Sequence, residues 1–222
     1  MTKLVLFDFD GTLADSAPDL AATANRFRAA QGLAPLTYDA LRPYASHGAR
    51  GLLKVALDMD TSHPEYNRYR ELFLADYAAN MTQLTTLFEG VDELLTRISD
   101  HGYRWGIVTN KLEYLAKPLI EHLGLATYCS VTVGGDTTGF SKPHPAPLLY
   151  AAKQAGFNPT DCIYVGDDER DILAAHAAGM PAIVAAYGYC QNDPNISTWN
   201  AFAVSHTAEE IWPVVERWAS RT

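Results

Sequence analysis

The amino-acid sequence predicts an α/β protein, a parallel sheet carrying a helical module inserted after its first strand. Three observations lead there. Five short runs of β-branched and aromatic residues read as strands, and they lack strict apolar–polar alternation, as strands covered on both faces should. Helical patterns separate the later runs, and strand–helix alternation builds a parallel sheet. The stretch from about Ser16 to Met81 carries helical stripes and no strand.

The first strand, Leu4 to Phe9, lies in "LVLFDFDGTL" and brings Asp8 and Asp10 to its end, with Gly11 and Thr12 directly behind. A carboxylate set against an apolar strand loses hydration, so it needs a partner, a metal or a function. The inserted module follows at once. Pro18 to Ala30 sets Leu20, Ala24 and Phe27 on one stripe, and Ala49 to Leu57 and Glu65 to Met81 continue in the same manner. Beginning just past the aspartates, the module reads as a lid over whatever they hold. The helix "GVDELLTRISDHG" then leads to strand Tyr103 to Val108, which ends in Thr109, Asn110 and Lys111. "EYLAKPLIEHLG" precedes strand Cys129 to Val133, and Lys142 sits in the following loop, in "SKPHP". "PAPLLYAAKQAG" precedes strand Cys162 to Val165, which ends in Gly166, Asp167, Asp168 and Asp171. "DERDILAAHAAGM" and strand Ala182 to Ala185 complete the alternation, most of the helices closing on a C-terminal glycine.

In open α/β sheets ligands bind beyond the carboxyl ends of the strands, where these acids, Lys142 and the hydroxyl and amide donors converge. Carboxylates as close as Asp8 and Asp10 repel unless a cation neutralises them. Oxygen-only ligation suits Mg²⁺, which keeps waters and accepts phosphate oxygens, and Asp167 offers a third carboxylate.

Composition narrows the possibilities. A net charge of -9 argues against a nucleic-acid partner, which is bound through clustered Lys and Arg. No apolar stretch approaches the length of a membrane span, and "MTKLVLFDFDG" carries acids where a signal peptide needs a small-residue cleavage site. A cytoplasmic protein with no membrane partner is the expectation. Cys129, Cys162 and Cys190 are too widely spaced for a thiolate metal site and odd in number, which predicts free thiols.

The motifs "DFDGTLADS", "VTNK", "SKPHP" and "VGDDERD" resemble, in order and spacing, the four signature motifs of the haloacid dehalogenase-like hydrolase superfamily, across essentially the whole chain. The resemblance implies a Rossmannoid, doubly wound parallel core over residues 1–14 and 83–222 and an all-helical cap over residues 15–82. It makes Asp8 a nucleophile and Asp10 a general acid/base. It assigns Mg²⁺ to the Asp8 carboxylate, the Asp10 main-chain carbonyl and Asp167. Thr109, Asn110 and the amides after Asp8, Gly11 among them, would bind the phosphoryl oxygens. Lys142 would neutralise charge on the phosphoryl group and the nucleophile, held by Asp171, with Asp168 either reaching the metal through water or serving the helix N-terminus.

Among the superfamily's reactions, haloacid dehalogenation needs no acid at the position of Asp10, and a transport ATPase needs membrane spans. A sugar phosphomutase uses the same core and a similar cap but must shield its aspartyl phosphate from water. A phosphoacceptor receiver, which is a binding switch, lacks the large helical insertion and the "DGT" loop. "GLAPLTYDALRPYASHGARGLL", "LFEGVDELL", "RWGIVTNK" and the tail "AAYGYCQNDPNISTWNAF" resemble the phosphoglycolate phosphatase group. The segment "GYCQNDPNISTW" resembles at least as closely that group's relatives acting on N-acetylmuramic acid 6-phosphate. Both substrates carry a carboxylate beside a phosphomonoester. Arg50 offers a guanidinium for that carboxylate, or else lies on a helix surface. The expectation is a Mg²⁺-dependent phosphatase that hydrolyses a small phosphorylated acid, a metabolite of the 2-phosphoglycolate type, through an aspartyl phosphate. Tyr187 and Tyr189 are expected to pack.

Overall fold

The computed structural model describes residues 2–220. The chain divides into two compact units: the described residues up to Ala14 together with those from Leu87 onward, and Asp15–Thr86.

The first unit is a sheet unit. Its strands are β1 (Leu4–Phe7), β4 (Arg104–Val108), β5 (Thr132–Val133), β6 (Cys162–Gly166), β7 (Ala182–Ala185) and β8 (Ala203–Ser205); the short β2 (Ala14–Asp15) and β3 (Thr86–Leu87) pair separately where the chain crosses between units. The six strands run parallel in the order β5-β4-β1-β6-β7-β8. From β1 the chain winds first to one side, through β4 and β5, and then to the other. That reversal makes the carboxyl ends of β1, β4 and β6 the place where an open sheet leaves a crevice.

Both faces are covered. Leu4 and Leu6 of β1 join Val108, Val133, Cys162 and Tyr164 in one cluster with α7 (Ala146–Ala155) and α8 (Glu169–Ala177). The alternate residues Val5 and Phe7 point to the opposite face and are just as fully buried. Burial on both faces therefore explains why β1 reads as an uninterrupted apolar run. The remaining helices of this unit are α5 (Val91–Asp100), α6 (Glu113–His122) and α9 (Ile211–Ala219), α5 and α9 packing together.

The strand readings need three adjustments. β1 stops at Phe7, because Phe9 turns the chain: its carbonyl accepts the amides of Thr12, Leu13 and Ala14. Only Thr132–Val133 of the Cys129 to Val133 run forms strand, the preceding residues keeping single backbone bonds such as Ser130 N to Trp105 O. β8 is an additional strand. It lies at the sheet edge and is three residues long, too short for a periodic pattern.

The helical unit holds α1 (Ala17–Ala30), α2 (Tyr38–Leu41), a 3-10 turn at Arg42–His47, α3 (Gly48–Leu57) and α4 (Tyr66–Asn80). Phe27 of α1 packs on Phe73 and Tyr69 of α4. Asp19, almost wholly buried, accepts hydrogen bonds from the Leu84 and Thr85 amides and the Thr85 hydroxyl. A buried carboxylate satisfied by three donor groups is a fixed joint, and it ties residues 84 and 85 to the helices. Among the described residues no helix is long and apolar enough to cross a membrane. The three thiols are free, as expected.

Candidate active site

The carboxyl end of β1 delivers Asp8. Its amide continues the ladder by donating to Val165 O of β6 (2.8 Å), which fixes the backbone between two strands. Its Oδ1 accepts from the Phe9 amide (2.7 Å) and pairs with Lys142 Nζ (2.9 Å).

Lys142 organises the centre. Only 2% of its side chain is exposed, and its ammonium lies 2.9 Å from Asp8 Oδ1, 2.6 Å from Asp171 Oδ1, 2.8 Å from Tyr164 Oη and 2.9 Å from Val108 O. Burial alone would drive Lys142 towards its neutral form, but the charges of Asp171 and Asp8 outweigh it and raise its pKa above the ordinary lysine value. Its backbone is clamped by Asn110, whose Nδ2 donates to Lys142 O (2.9 Å) and whose Oδ1 accepts from Lys142 N (2.8 Å). The Asn110 side chain thus holds the lysine loop.

From β6 and α8 come the remaining acids. Asp171 spends one oxygen on Lys142 and accepts the Asp168 amide with the other (3.1 Å). Asp168 is the N-cap of α8: it accepts the Arg170 amide and forms a two-pronged pair with the Arg170 guanidinium (2.7 Å each). Burial would raise the Asp168 carboxyl, and its bonds to Arg170 hold it below the usual range instead. Asp167 is buried, accepting the Tyr189 amide (2.8 Å) and the Thr12 hydroxyl (3.3 Å). Burial, reinforced by the charges of Asp8 and Asp171, pushes the Asp167 carboxyl well above its ordinary value.

Carboxylate oxygens of Asp8, Asp167 and Asp171 lie within 4.8 Å of one another. Three acids face one ammonium in a desolvated spot, so with all three ionised two negative charges lack a cation, and that repulsion adds to burial in raising the Asp167 carboxyl. The donor set is all oxygen, so the cluster fits a hard divalent cation. With Asp171 committed to Lys142 and to the α8 N-terminus, Asp8 and Asp167 are the carboxylates left for such an ion.

Backbone shape keeps Asp167 in place. Gly11 has φ +82°, and a Cβ there would stand 2.2 Å from Asp167 Oδ2. At Gly188 a Cβ would meet Gly11 O at 2.1 Å and Asp167 Cβ at 2.5 Å. We expect Gly188→Ala to lower stability by about 1–3 kcal/mol, the usual range for overpacking, because both neighbours are rigid. A urea melt beside a turnover assay checks this, and a variant with wild-type stability and rate would contradict the packing.

The sequence-derived residues Asp8, Asp10, Gly11, Thr109, Asn110, Lys142, Asp167, Asp168 and Asp171 therefore converge at the ends of β1, β4 and β6. Thr109 follows β4 and accepts the Lys111 amide on its hydroxyl (3.1 Å). Arg50 belongs to the helical unit, exposed on α3, and is not among the residues gathered in the sheet unit. Lys111, named from sequence at the end of its strand but given no role, has its Nζ 3.0 and 3.3 Å from the two carboxylate oxygens of Asp10. Tyr164 was concealed inside an apolar run. Tyr187 and Tyr189, expected only to pack, do set their rings edge-on or tilted against Phe88, but the Tyr187 hydroxyl also donates to Thr12 O (2.8 Å) and the Tyr189 amide to Asp167.

Comparisons with known proteins identify relatives of the chain. Residues 5–185 match the family described as haloacid dehalogenase-like hydrolase. The chain is 45% identical over 213 residues to a phosphoglycolate phosphatase of Xanthomonas campestris pv. campestris, covering 95% of each. It is 38% identical over 215 residues to an N-acetylmuramic acid 6-phosphate phosphatase of Pseudomonas aeruginosa, covering 97% of this chain and 95% of that one. Its structure is similar to that of a predicted phosphoglycolate phosphatase from Haemophilus somnus, with TM-score 0.85 and 29% identity over 96% of this chain and 98% of that chain.

Proposed function

The chain belongs to the haloacid dehalogenase-like hydrolases, and from that premise we propose that it is a Mg²⁺-dependent phosphatase acting on a small phosphomonoester that also bears a carboxylate, 2-phosphoglycolate being the type substrate. The observation that carries the proposal is the buried charge deficit at Asp8, Asp167 and Asp171. Such a cluster attracts a divalent cation, and the cation once bound offsets the repulsion that a phosphoryl dianion would otherwise meet there.

In the proposed reaction the Asp8 carboxylate attacks phosphorus, forming an Asp8 O–P bond as the ester P–O bond breaks. A carboxylate needs no activating base, and the acyl phosphate it forms is labile. Asp10 gives its proton to the departing alkoxide, then takes one from the water that attacks phosphorus; cleavage of the Asp8 O–P bond releases phosphate and restores both acids. Thr109 and Asn110 position the phosphoryl oxygens; the Gly11 amide, expected to join them, donates instead to Ala14 O (2.9 Å) within the turn. Lys142 offsets negative charge at Asp8 and the transferring group. Mg²⁺, held by Asp8, Asp167 and the Asp10 carbonyl, would supply charge neutralisation and orientation.

Two named substrates compete. The relative acting on N-acetylmuramic acid 6-phosphate and the resemblance of the segment 188–199 to that group favour a second reading, the amino-sugar phosphate. A side-by-side comparison of kcat/KM is expected to favour 2-phosphoglycolate at least about tenfold, equivalent to roughly 1.4 kcal/mol in transition-state binding. Turnover should vanish after chelation and return with Mg²⁺. Equal, poor values for both substrates would remove both readings. Stoichiometric phosphorylation without turnover would defeat the hydrolase reading altogether.

A further inference from the structure

Lys142 already serves Asp8, so a second buried lysine at the same strand ends asks for another purpose. Lys111 places its ammonium 3.0 Å from Asp10 Oδ1 and 3.3 Å from Oδ2, with 7% of the lysine side chain and 17% of the aspartate side chain exposed. Its backbone is fixed on both sides: the amide donates to Thr109 Oγ1 (3.1 Å) and the carbonyl accepts the Gly135 amide (2.8 Å). The ammonium is therefore delivered by a braced turn, entirely from the sheet unit.

In the proposed reaction Asp10 stands within hydrogen-bond reach of the ester oxygen that departs, roughly 3 Å. Lys111 Nζ, itself bonded to Asp10, is then no more than about 6 Å from that oxygen. In a phosphorylated 2-hydroxy acid a single carbon separates the ester oxygen from the carboxylate, whose oxygens lie roughly 3 Å from it by covalent geometry. An ammonium has three hydrogens and can serve Asp10 and a second anion together.

We propose that Lys111 is a specificity-determining residue that receives the carboxylate of a substrate phosphorylated on the carbon next to its carboxyl group, bridging it to Asp10. This inference rests on the phosphatase reading and on its assignment of Asp10. It makes the sheet unit a selector of substrate in its own right.

The test uses a matched pair: 2-phosphoglycolate and ethyl phosphate, which has the same length but no carboxylate. Wild type is expected to prefer 2-phosphoglycolate. Lys111→Met, which keeps the aliphatic stem, should lower that preference ten- to hundredfold, roughly the effect of losing one hydrogen-bonded charge pair. The loss should fall mainly on KM for 2-phosphoglycolate, and Lys111→Arg should recover most of it. Should Lys111→Met fail to fold, Lys111→Gln carries the same comparison. An equal fall on both substrates would mean that Lys111 only positions Asp10 and would overturn the inference, as would an undiminished preference. A wild-type enzyme that hydrolyses both esters equally would overturn the carboxylate reading as well; one that hydrolyses neither would count against the phosphatase itself.

Discussion

Asp8→Asn is expected to abolish turnover, with kcat falling on the order of 10⁶-fold, as when a covalent nucleophile is removed from another hydrolase. The amide keeps the shape of the carboxylate but cannot form an acyl phosphate. Its effect on folding should run the other way. Asp8 contributes charge that raises the Asp167 and Asp171 carboxyls, so removing that charge relieves repulsion in the cluster. The melting temperature in the absence of metal should hold or rise. Steady-state turnover and a thermal melt on one preparation, with deamidation excluded by mass, check both halves. Retained turnover in the undeamidated protein would refute the nucleophile assignment.

Lys142→Met should damage both rate and fold. Losing a preorganised cation at the transferring group costs about 3–4 kcal/mol of transition-state stabilisation, or 10²- to 10³-fold in kcat. Asp171 would also be left buried opposite Asp8 without its partner, and breaking a buried pair typically costs about 3–5 kcal/mol. At roughly 2–4 °C per kcal/mol for a chain of this size, the melting temperature should drop by about 6–20 °C. The double variant Lys142→Met/Asp171→Asn should regain much of the stability and none of the rate. Equal stability of the single and double variants would show that the pair is not what Lys142 supports.

Much of this architecture was legible in the sequence because the sheet is simple where it matters. β1, β4, β6 and β7 are buried on both faces, so each reads as an apolar run without knowledge of its neighbours. β8 was not legible, since three residues at an edge carry too little pattern. The acids at the strand ends stand out against apolar surroundings, and so did Lys142 within its motif. Lys111 did not: its meaning depends on β4 lying beside β1, a pairing of Leu4 with Arg104 that no local signal carries. Tyr164 reads as packing from sequence because its ring is packing; only its hydroxyl, 2.8 Å from Lys142, is chemistry. The boundary near residues 83–86 depended on Asp19, whose bonds to Leu84 and Thr85 link positions more than sixty residues apart.

The central position of β1 has a consequence for how the chain is made. It leaves the ribosome well before its neighbours, which begin only at Arg104 and Cys162. At about 5–20 residues per second, β6 follows β1 by roughly 10–30 s. Through that interval the nascent chain carries an apolar segment whose edges have no partner, the condition that chaperones intercept and that favours aggregation. Non-local pairing of this kind also slows refolding in free solution. The strand that bears Asp8 is thus synthesised long before the strands that enclose it.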